Sequence, residues 1–439
     1  MTPLRAVWEV AWPMAALGVL RSLYYLTDSF WVGRLGADAL AAIGGSAFAW
    51  WIVFLMAELP ATGAHALVAQ HEGAERRDRI GPVVGRALTV GAFVAAALAA
   101  LSAWVPDLYF SLLGLDGSAA THGAAYVGAA LLGAGSLVVY AVVGAAFRGL
   151  GQTRVALGLT AATLLVNALL DPLLIWGFGP VPALGIAGAA WATALANLVG
   201  AGLGIWLLKR AGTPVETGAP PGTAWRILQI GLPVTASGVG FALVYVVLGR
   251  MITAHGEAQM AALGVGHRIE SIPYFIGVAF GVGAATMVGQ HLGASDPKSA
   301  EQSIRAAAKL ALCTMVPFGA LLFGAAAPLF ALFTDDPATV EAGVLYLRVQ
   351  VVVFAFMALE ETYRGAFVGA GQTTAAAVIE FVWTLARVPA AWLLAEAGLG
   401  IVGVWVAVAA STAIKGVSLV IWWKLRGPTR LSRGCQGRR

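Results

Sequence analysis

Apolar runs long enough to cross a lipid bilayer follow one another along almost the whole chain. Of its 439 residues, 59% are hydrophobic and 11% are charged, against roughly 25% charged in a typical soluble domain. At about 20 residues per helical span, ten to twelve spans with short loops use nearly the whole length. The runs lack the alternating pattern of barrel strands, and an open sheet cannot satisfy its backbone in lipid. The sequence therefore predicts an all-α membrane protein.

Twelve segments qualify as transmembrane helices, and most basic residues between them fall on one side. The segments are 10–32, 40–69, 81–104, 123–147, 155–177, 184–208, 225–250, 258–289, 303–325, 341–367, 374–395 and 399–423. The basic residues are Arg76, Arg77, Arg79, Arg148, Arg154, Lys209, Arg210, Lys298, Arg305, Lys309 and those of 424–439. The positive-inside rule then predicts cytoplasmic termini. We also expect a multi-pass protein of the plasma (inner) membrane. No cleavage site precedes the first run, so we expect that span to be retained.

The two halves of the chain repeat each other at a shift of 220 residues. GAHALVAQHEGA (63–74) matches the end of GVGAATMVGQHLGA (281–294), AAFRGLGQT (145–153) matches GAFVGAGQT (365–373), and Pro13 recurs as Pro233. Because each copy has an even number of spans, six, both copies have the same orientation in the membrane. This is the parallel-repeat arrangement of many transporters. We therefore predict two pseudo-symmetric six-helix bundles. The expected division is an amino lobe (1–208), a cytoplasmic linker (209–224), a carboxyl lobe (225–423) and a basic cytoplasmic tail (424–439).

Acidic residues in the first-half spans are candidates for ion coupling, because an ionised acid is costly in hydrocarbon. Asp28 lies in the first apolar run, and Asn167 and Asp171 are four residues apart on the fifth, where Pro172 releases a backbone carbonyl. Two carboxylates with amide and carbonyl oxygens can hold Na⁺ or share a proton. The residues do not decide between these ions. The alternative is a structural Asp28, capped by Arg21 or by helix carbonyls.

The second half carries further intramembrane acids whose repeat partners are neutral. They are Glu270, Glu360, Glu361 and Glu380. We hypothesise that these acids, with Glu58 of the second span, attract cationic substrates. The alternative is structural pairing, of Arg268 with Glu270 or another acid and of Arg387 with Glu380 or Glu360.

Several motifs make the chain resemble the multidrug and toxic compound extrusion (MATE) family over nearly its full length. They are TDSFWVGRLG (27–36), AQHEGA (69–74), RGLGQT (148–153) and NALLDPL (167–173). The resemblance implies a secondary active multidrug efflux antiporter that exports organic, chiefly cationic, compounds in exchange for H⁺ or Na⁺ by alternating access. In the branch resembling the DNA-damage-inducible MATE proteins, the ion site lies in the amino lobe. Carried over, its residues are Asp28, Asn167, Asp171, Tyr126 and Thr193. The acid that another branch has in span 7 is missing from LPVTASGVGFALVYVVLG (232–249).

Other classes of function fit the sequence less well. A lipid-linked precursor flippase of the same superfamily would favour a basic cleft for phosphate. An intramembrane enzyme would need a motif such as HExxH or GxSxG, and neither occurs. The basic residues lie at the ends of apolar runs and form no stripe for nucleic acid. We expect a monomer in the lipid bilayer that handles small organic molecules, with no cofactor apart from the coupling ion.

Overall fold

The computed structural model describes the backbone of residues 2–114 and 117–436, and within it the side chains outside 22–29, 37, 40, 41 and 427–436. Helices make up nearly all of this part, and its only β pairing is an isolated bridge between Phe178 and Val181. The predicted all-α fold is confirmed. The side chain of Asp28 lies outside the described residues, so its role stays a prediction.

Fifteen α-helices follow one another along the described backbone. Those of the first half are α1 (Pro3–Gly33), α2 (Ala37–Gly73), α3 (Ile80–Leu101), α4 (Val105–Leu112), α5 (Gly117–Gly149), α6 (Thr153–Trp176) and α7 (Ile186–Arg210). Those of the second half are α8 (Thr223–Thr253), α9 (Glu257–Gly293), α10 (Pro297–Gly324), α11 (Ala326–Ala331), α12 (Pro337–Val351), α13 (Phe354–Gly369), α14 (Thr373–Leu394) and α15 (Gly400–Gln436).

Nine helices of the described part are long and apolar enough to cross a membrane, or ten if α12 and α13 form one span. One of the nine, Thr373–Arg426, has 54 residues, which is more than twice the roughly 20 that a span needs. It contains α14 and α15, separated by a π-helical turn at Ala395–Leu399 where Gly398 has φ 93°. With α12 and α13 taken as one span the count is ten, and counting α14 and α15 separately and adding α1, whose side chains are only partly described, brings it to the twelve predicted spans.

The tenth predicted span (341–367) consists of two helices, α12 and α13, which meet at a bend of 53°. The break falls in a run of β-branched residues, Val351 to Val353, which have lower helix propensity than straight-chain residues. At its start, α12 is capped by Asp336, whose carboxylate accepts hydrogen bonds from the Thr339 hydroxyl at 2.6 Å and the Thr339 N–H at 3.0 Å. These bonds hold the pKa of Asp336 below its usual value.

The chain forms two compact units whose bounds differ from those of the predicted lobes. The amino unit is Val19–Thr235, and the carboxyl unit is Met1–Gly18 with Ala236–Arg439. In the amino unit, the start of α8 packs on α2. A methyl group added to Gly63 would meet Ile227 at 2.6 Å, and the Thr235 hydroxyl donates to the Leu55 carbonyl at 3.3 Å. The 209–224 linker therefore lies inside this unit.

The carboxyl unit shows the same exchange in the other direction. Val7, near the start of α1, is fully buried in a cluster with Ala284 of α9 and Ala307 of α10. A methyl group added to Gly283 would lie 3.5 Å from the Val7 side chain. Val7 and Ile227 occupy equivalent repeat positions, so each repeat contributes its first helical segment to the unit built mainly by the other.

Gly365 of α13 crosses α9 so closely that a methyl group there would overlap the carbonyl oxygen of Gly281. Small residues at such crossings let helix backbones approach each other. We expect Gly365→Ala to lower the apparent melting temperature in detergent by about 5 °C or more, since overpacking typically costs 1–3 kcal/mol. The control is Gly264→Ala on α9, where no atom lies within 4 Å of the added methyl group. Equal shifts in the two variants would contradict the close crossing.

Candidate ion and substrate sites

Three of the five predicted ion-site residues meet between α6 and α7. Asn167 and Asp171 are one helical turn apart on the same face of α6, and both are completely buried. The Asn167 amide donates to Asp171 Oδ1 at 3.1 Å and to Thr193 Oγ1 of α7 at 3.4 Å. The spacing of four residues on one helix is thus completed by a hydroxyl from its neighbour.

This cluster presents oxygen atoms of several kinds. Asn167 Oδ1 is buried and has no hydrogen-bond partner among the described residues. Pro172 has no N–H, so the carbonyl of Ala168 loses its usual partner in the helix. A carboxylate, an amide oxygen, a hydroxyl and a released carbonyl suit a hard cation or a proton. The residues present therefore fit Na⁺ as well as H⁺.

Glycines of α7 bring this helix close to α6. A methyl group on Gly200 would overlap the hydroxyl of Thr163, and one on Gly188 would overlap the carbonyl of Leu174. The Thr163 hydroxyl donates to Leu159 of its own helix at 2.8 Å. The close approach of the two helices places Thr193 within reach of Asn167.

Tyr126 of α5 is buried in the apolar core of the amino unit. It packs in one hydrophobic cluster with Ile175 of α6 and Ala189 of α7, each about one helical turn from Asp171 and Thr193 respectively. The three side chains thus belong to the same apolar core of the amino unit. A part for Tyr126 in binding the ion stays a prediction.

The carboxyl unit holds a network of buried ion pairs. Lys415 Nζ of α15 lies 2.7 Å from Glu360 Oε1 of α13, and both side chains are at least nine-tenths buried. Arg364 pairs with Glu361 one turn away on α13, and its Nε lies 3.7 Å from Glu380 Oε1 of α14. Three of the four predicted substrate-binding acids of this half are therefore paired with cations of the protein itself.

The alternative prediction, that these acids form structural ion pairs, is confirmed for Glu360 and Glu380, but the predicted partner was wrong. Glu360 and Glu380 pair with Lys415 and Arg364, and not with Arg387. The spacing of three residues from Glu361 to Arg364 could have indicated that contact. Lys415 is an isolated cation in the last apolar run, which is the only sequence signal for its role.

Glu270 and Arg387 form hydrogen bonds with neutral groups. Glu270 Oε2 accepts from the Tyr346 hydroxyl at 2.9 Å. Arg387 donates through Nε to Ser411 Oγ at 2.8 Å and through Nη2 to Thr412 Oγ1 at 3.4 Å. The expected pairing of Glu270 with Arg268 is not among the ion pairs of the described side chains.

Glu58, the fifth predicted substrate-binding acid, lies in the amino unit. Its carboxylate is 3.4 Å from the Arg148 guanidinium, and this half-buried pair joins α2 to α5. The predicted span ended at residue 147 and left Arg148 in a loop, whereas Arg148 is the penultimate residue of α5. The pair is a contact between helices, and substrate binding by Glu58 stays a prediction.

Apolar spans in two units, with polar clusters buried inside both, define a multi-pass membrane transporter. The chain matches the MatE family twice, over residues 13–173 and 233–393, and it belongs to that family. The two matches begin 220 residues apart, which confirms the internal repeat. Because this is a family of transporters, the prediction that the protein is no enzyme is also confirmed.

Individual relatives agree with this assignment. The chain is 26% identical over 423 residues to a probable multidrug resistance protein NorM of Thermotoga maritima, covering 94% of this chain and 91% of that one. It is 28% identical over 342 residues to an FAD transporter of Shewanella oneidensis, covering 76% and 75%. A solved MOP superfamily transporter from Pyrococcus furiosus shares the fold, with a TM-score of 0.89, 23% identity and coverage of 98% and 97%.

Proposed function

We propose that this protein is a secondary active efflux antiporter that exports organic compounds, chiefly cations, in exchange for H⁺ or Na⁺. The observation that carries the proposal is the buried contact of Asn167, Asp171 and Thr193. Intramembrane acids are costly and are typical of ion pathways. The similarity to a relative named for multidrug resistance supports the choice of substrates.

The proposed mechanism couples the charge of two aspartates to the shape of the amino lobe. An ion that enters from outside reduces the negative charge shared by Asp171 and Asp28 by one, α1 repacks near Pro13, and the substrate leaves. Release of the ion to the cytoplasm restores the charge, and the next substrate binds. Rocking of one repeat against the other then gives alternating access. The proposal includes cytoplasmic termini, the plasma membrane and a monomer.

The flippase alternative is less well supported by the charges of the carboxyl unit. A lipid-linked phosphate would need several cations free to bind it. Lys415 and Arg364 are instead paired with glutamates of the same unit. Export of organic cations remains the proposed activity.

Transport in proteoliposomes tests the proposal directly. Ethidium is loaded, and its efflux is followed with an imposed pH gradient, an imposed Na⁺ gradient or none. We expect one gradient to accelerate efflux by about fivefold or more, because coupling free energies are typically 1–3 kcal/mol. Collapsing that gradient with an ionophore must remove the acceleration. Efflux that neither gradient accelerates would contradict antiport.

A further inference from the structure

Polar side chains continue along the face of α6 that carries the ion cluster. Thr163 lies one turn before Asn167, and Thr160 lies about one turn before Thr163. Thr160 is thus about three helical turns, roughly 16 Å, from Asp171 in the direction of the start of α6. The proposed topology places that end of α6 on the cytoplasmic side. The polar face therefore leads from the ion cluster toward the cytoplasm.

Tyr140 of α5 extends this row of hydroxyl groups. Its hydroxyl lies 2.7 Å from Thr160 Oγ1, which itself donates to the Ala156 carbonyl at 3.0 Å. Because the Thr160 proton is used there, the Tyr140 hydroxyl donates to Thr160. A methyl group on Gly200 of α7 would overlap Thr163 Oγ1 and lie 3.1 Å from the Tyr140 ring. Thr163 and Tyr140 therefore meet where α5, α6 and α7 approach one another.

The ion pair of Glu58 with Arg148 follows Tyr140 in this row. Arg148 is close enough to Tyr140 and to Arg21 for their charges to interact. His65, two turns after Glu58 on α2, is buried and also lies within range of the Arg148 charge. The Glu58 side chain is 21% exposed. The row that begins at the completely buried ion cluster thus ends at a carboxylate that reaches the surface of the amino unit.

This ion pair is present in one repeat only. At the shift of 220 residues, Val278 and Val368 stand at the positions equivalent to Glu58 and Arg148. The acid of the α6 cluster is likewise replaced in the carboxyl unit, by Ala391. The ion pair and the ion cluster therefore occur together in the amino unit, as is expected if they serve one process.

We propose that this row is the route by which the coupling ion leaves the Asp171 cluster for the cytoplasm, with Glu58 as the last group to bind it. The ion passes the hydroxyls of Thr163 and Tyr140. The negative charge of the cluster is restored when the ion leaves it. The positive charge of Arg148 competes with the ion for the Glu58 carboxylate, so the ion does not stay there. The inference rests on the proposed function and adds the residues of its release step.

Two modes of transport separate ion release from substrate transport. Proteoliposomes are loaded with radiolabelled ethidium. Net efflux is measured with the ion gradient that accelerates the wild type, and exchange is measured against unlabelled ethidium outside, without a gradient. Exchange requires no release of the ion. In Glu58→Gln we expect net efflux to fall about fivefold or more, to the rate without a gradient, and exchange to stay within about twofold of the wild type.

Two results of this experiment would overturn the inference. Unchanged net efflux in Glu58→Gln would show that the ion leaves without this carboxylate. A parallel fall in exchange would show that Glu58 acts in substrate binding or in holding the structure. If no gradient accelerates the wild type, antiport itself fails and the route fails with it. If the wild type and Glu58→Gln are accelerated equally, the route alone fails.

The effect of external ion on exchange distinguishes release from binding. An ion that binds from outside competes with ethidium and therefore slows exchange in the wild type. In Glu58→Gln the ion still binds and is not released, so external ion should slow exchange at least as strongly. In Asp171→Asn the ion no longer binds, and this inhibition should be lost. Loss of the inhibition in Glu58→Gln would place Glu58 in ion binding and overturn its role in release.

Three further variants complete the test. Tyr140→Phe keeps the ring and removes the hydroxyl, so net efflux should fall while exchange persists; full net efflux would overturn the route through this hydroxyl. Glu58→Asp keeps a carboxylate and should restore net efflux at least in part. The matched control is Glu72→Gln, which breaks an ion pair with Arg77 at the end of the same helix and should leave both modes unchanged.

Discussion

Replacing Asp171 by asparagine is expected to abolish the dependence of efflux on the ion gradient. The substitution keeps the volume of the side chain and removes the charge that an entering ion would neutralise. Gradient-driven ethidium efflux in proteoliposomes should fall by about fivefold or more, to the rate without a gradient. Ethidium binding without a gradient should persist, because the change lies in the amino unit and leaves the acids of the carboxyl unit intact.

Two further variants serve as a control and as a second test of this prediction. Asp107→Asn on α4 removes an exposed acid of the same unit and should leave coupling at the wild-type level. Asp28→Asn, at the other predicted aspartate, should resemble Asp171→Asn. If Asp171→Asn retains full gradient dependence, the α6 cluster is structural. Coupling must then be sought among Glu270, Glu360, Glu361 and Glu380.

Replacing Lys415 by methionine is expected to destabilise the protein strongly. The change leaves Glu360 buried without the cation that lies 2.7 Å from it. Removal of one partner of a buried ion pair costs about 3–5 kcal/mol, whereas an apolar pair of similar volume is often neutral. The free energy of unfolding, measured by chemical denaturation in detergent, should therefore fall by that amount in Lys415→Met and recover in Glu360→Met/Lys415→Met.

The matched control is Lys309→Met on α10, where the lysine is exposed. It should change the free energy of unfolding by less than about 0.5 kcal/mol, as is usual for surface substitutions. A double variant as unstable as Lys415→Met would show that the pair contributes through packing. In that case the loss of stability in Lys415→Met would not come from leaving the charge of Glu360 unpaired.

Much of the fold follows from local pattern. Apolar runs of span length are visible in the sequence because lipid imposes their length and composition. The internal repeat is visible because the same residues recur at one shift. The contact of Asn167 with Asp171 was predictable for a similar reason, since residues four apart share a helix face. For Tyr126 and Thr193 the pattern was too weak, and only the resemblance to a family named them.

The sequence by itself determined the all-α membrane class, the number of spans, the two repeats and the polar face of α6. Only the tertiary structure decided the partners across helices. Lys415 and Glu360 are 55 positions apart, and no periodicity relates them. The exchange of the first segments of α1 and α8 was equally hidden, because two equivalent repeats offer each segment two similar surfaces. The physical reason is that helix periodicity decides which residues share a face, whereas packing decides which faces meet.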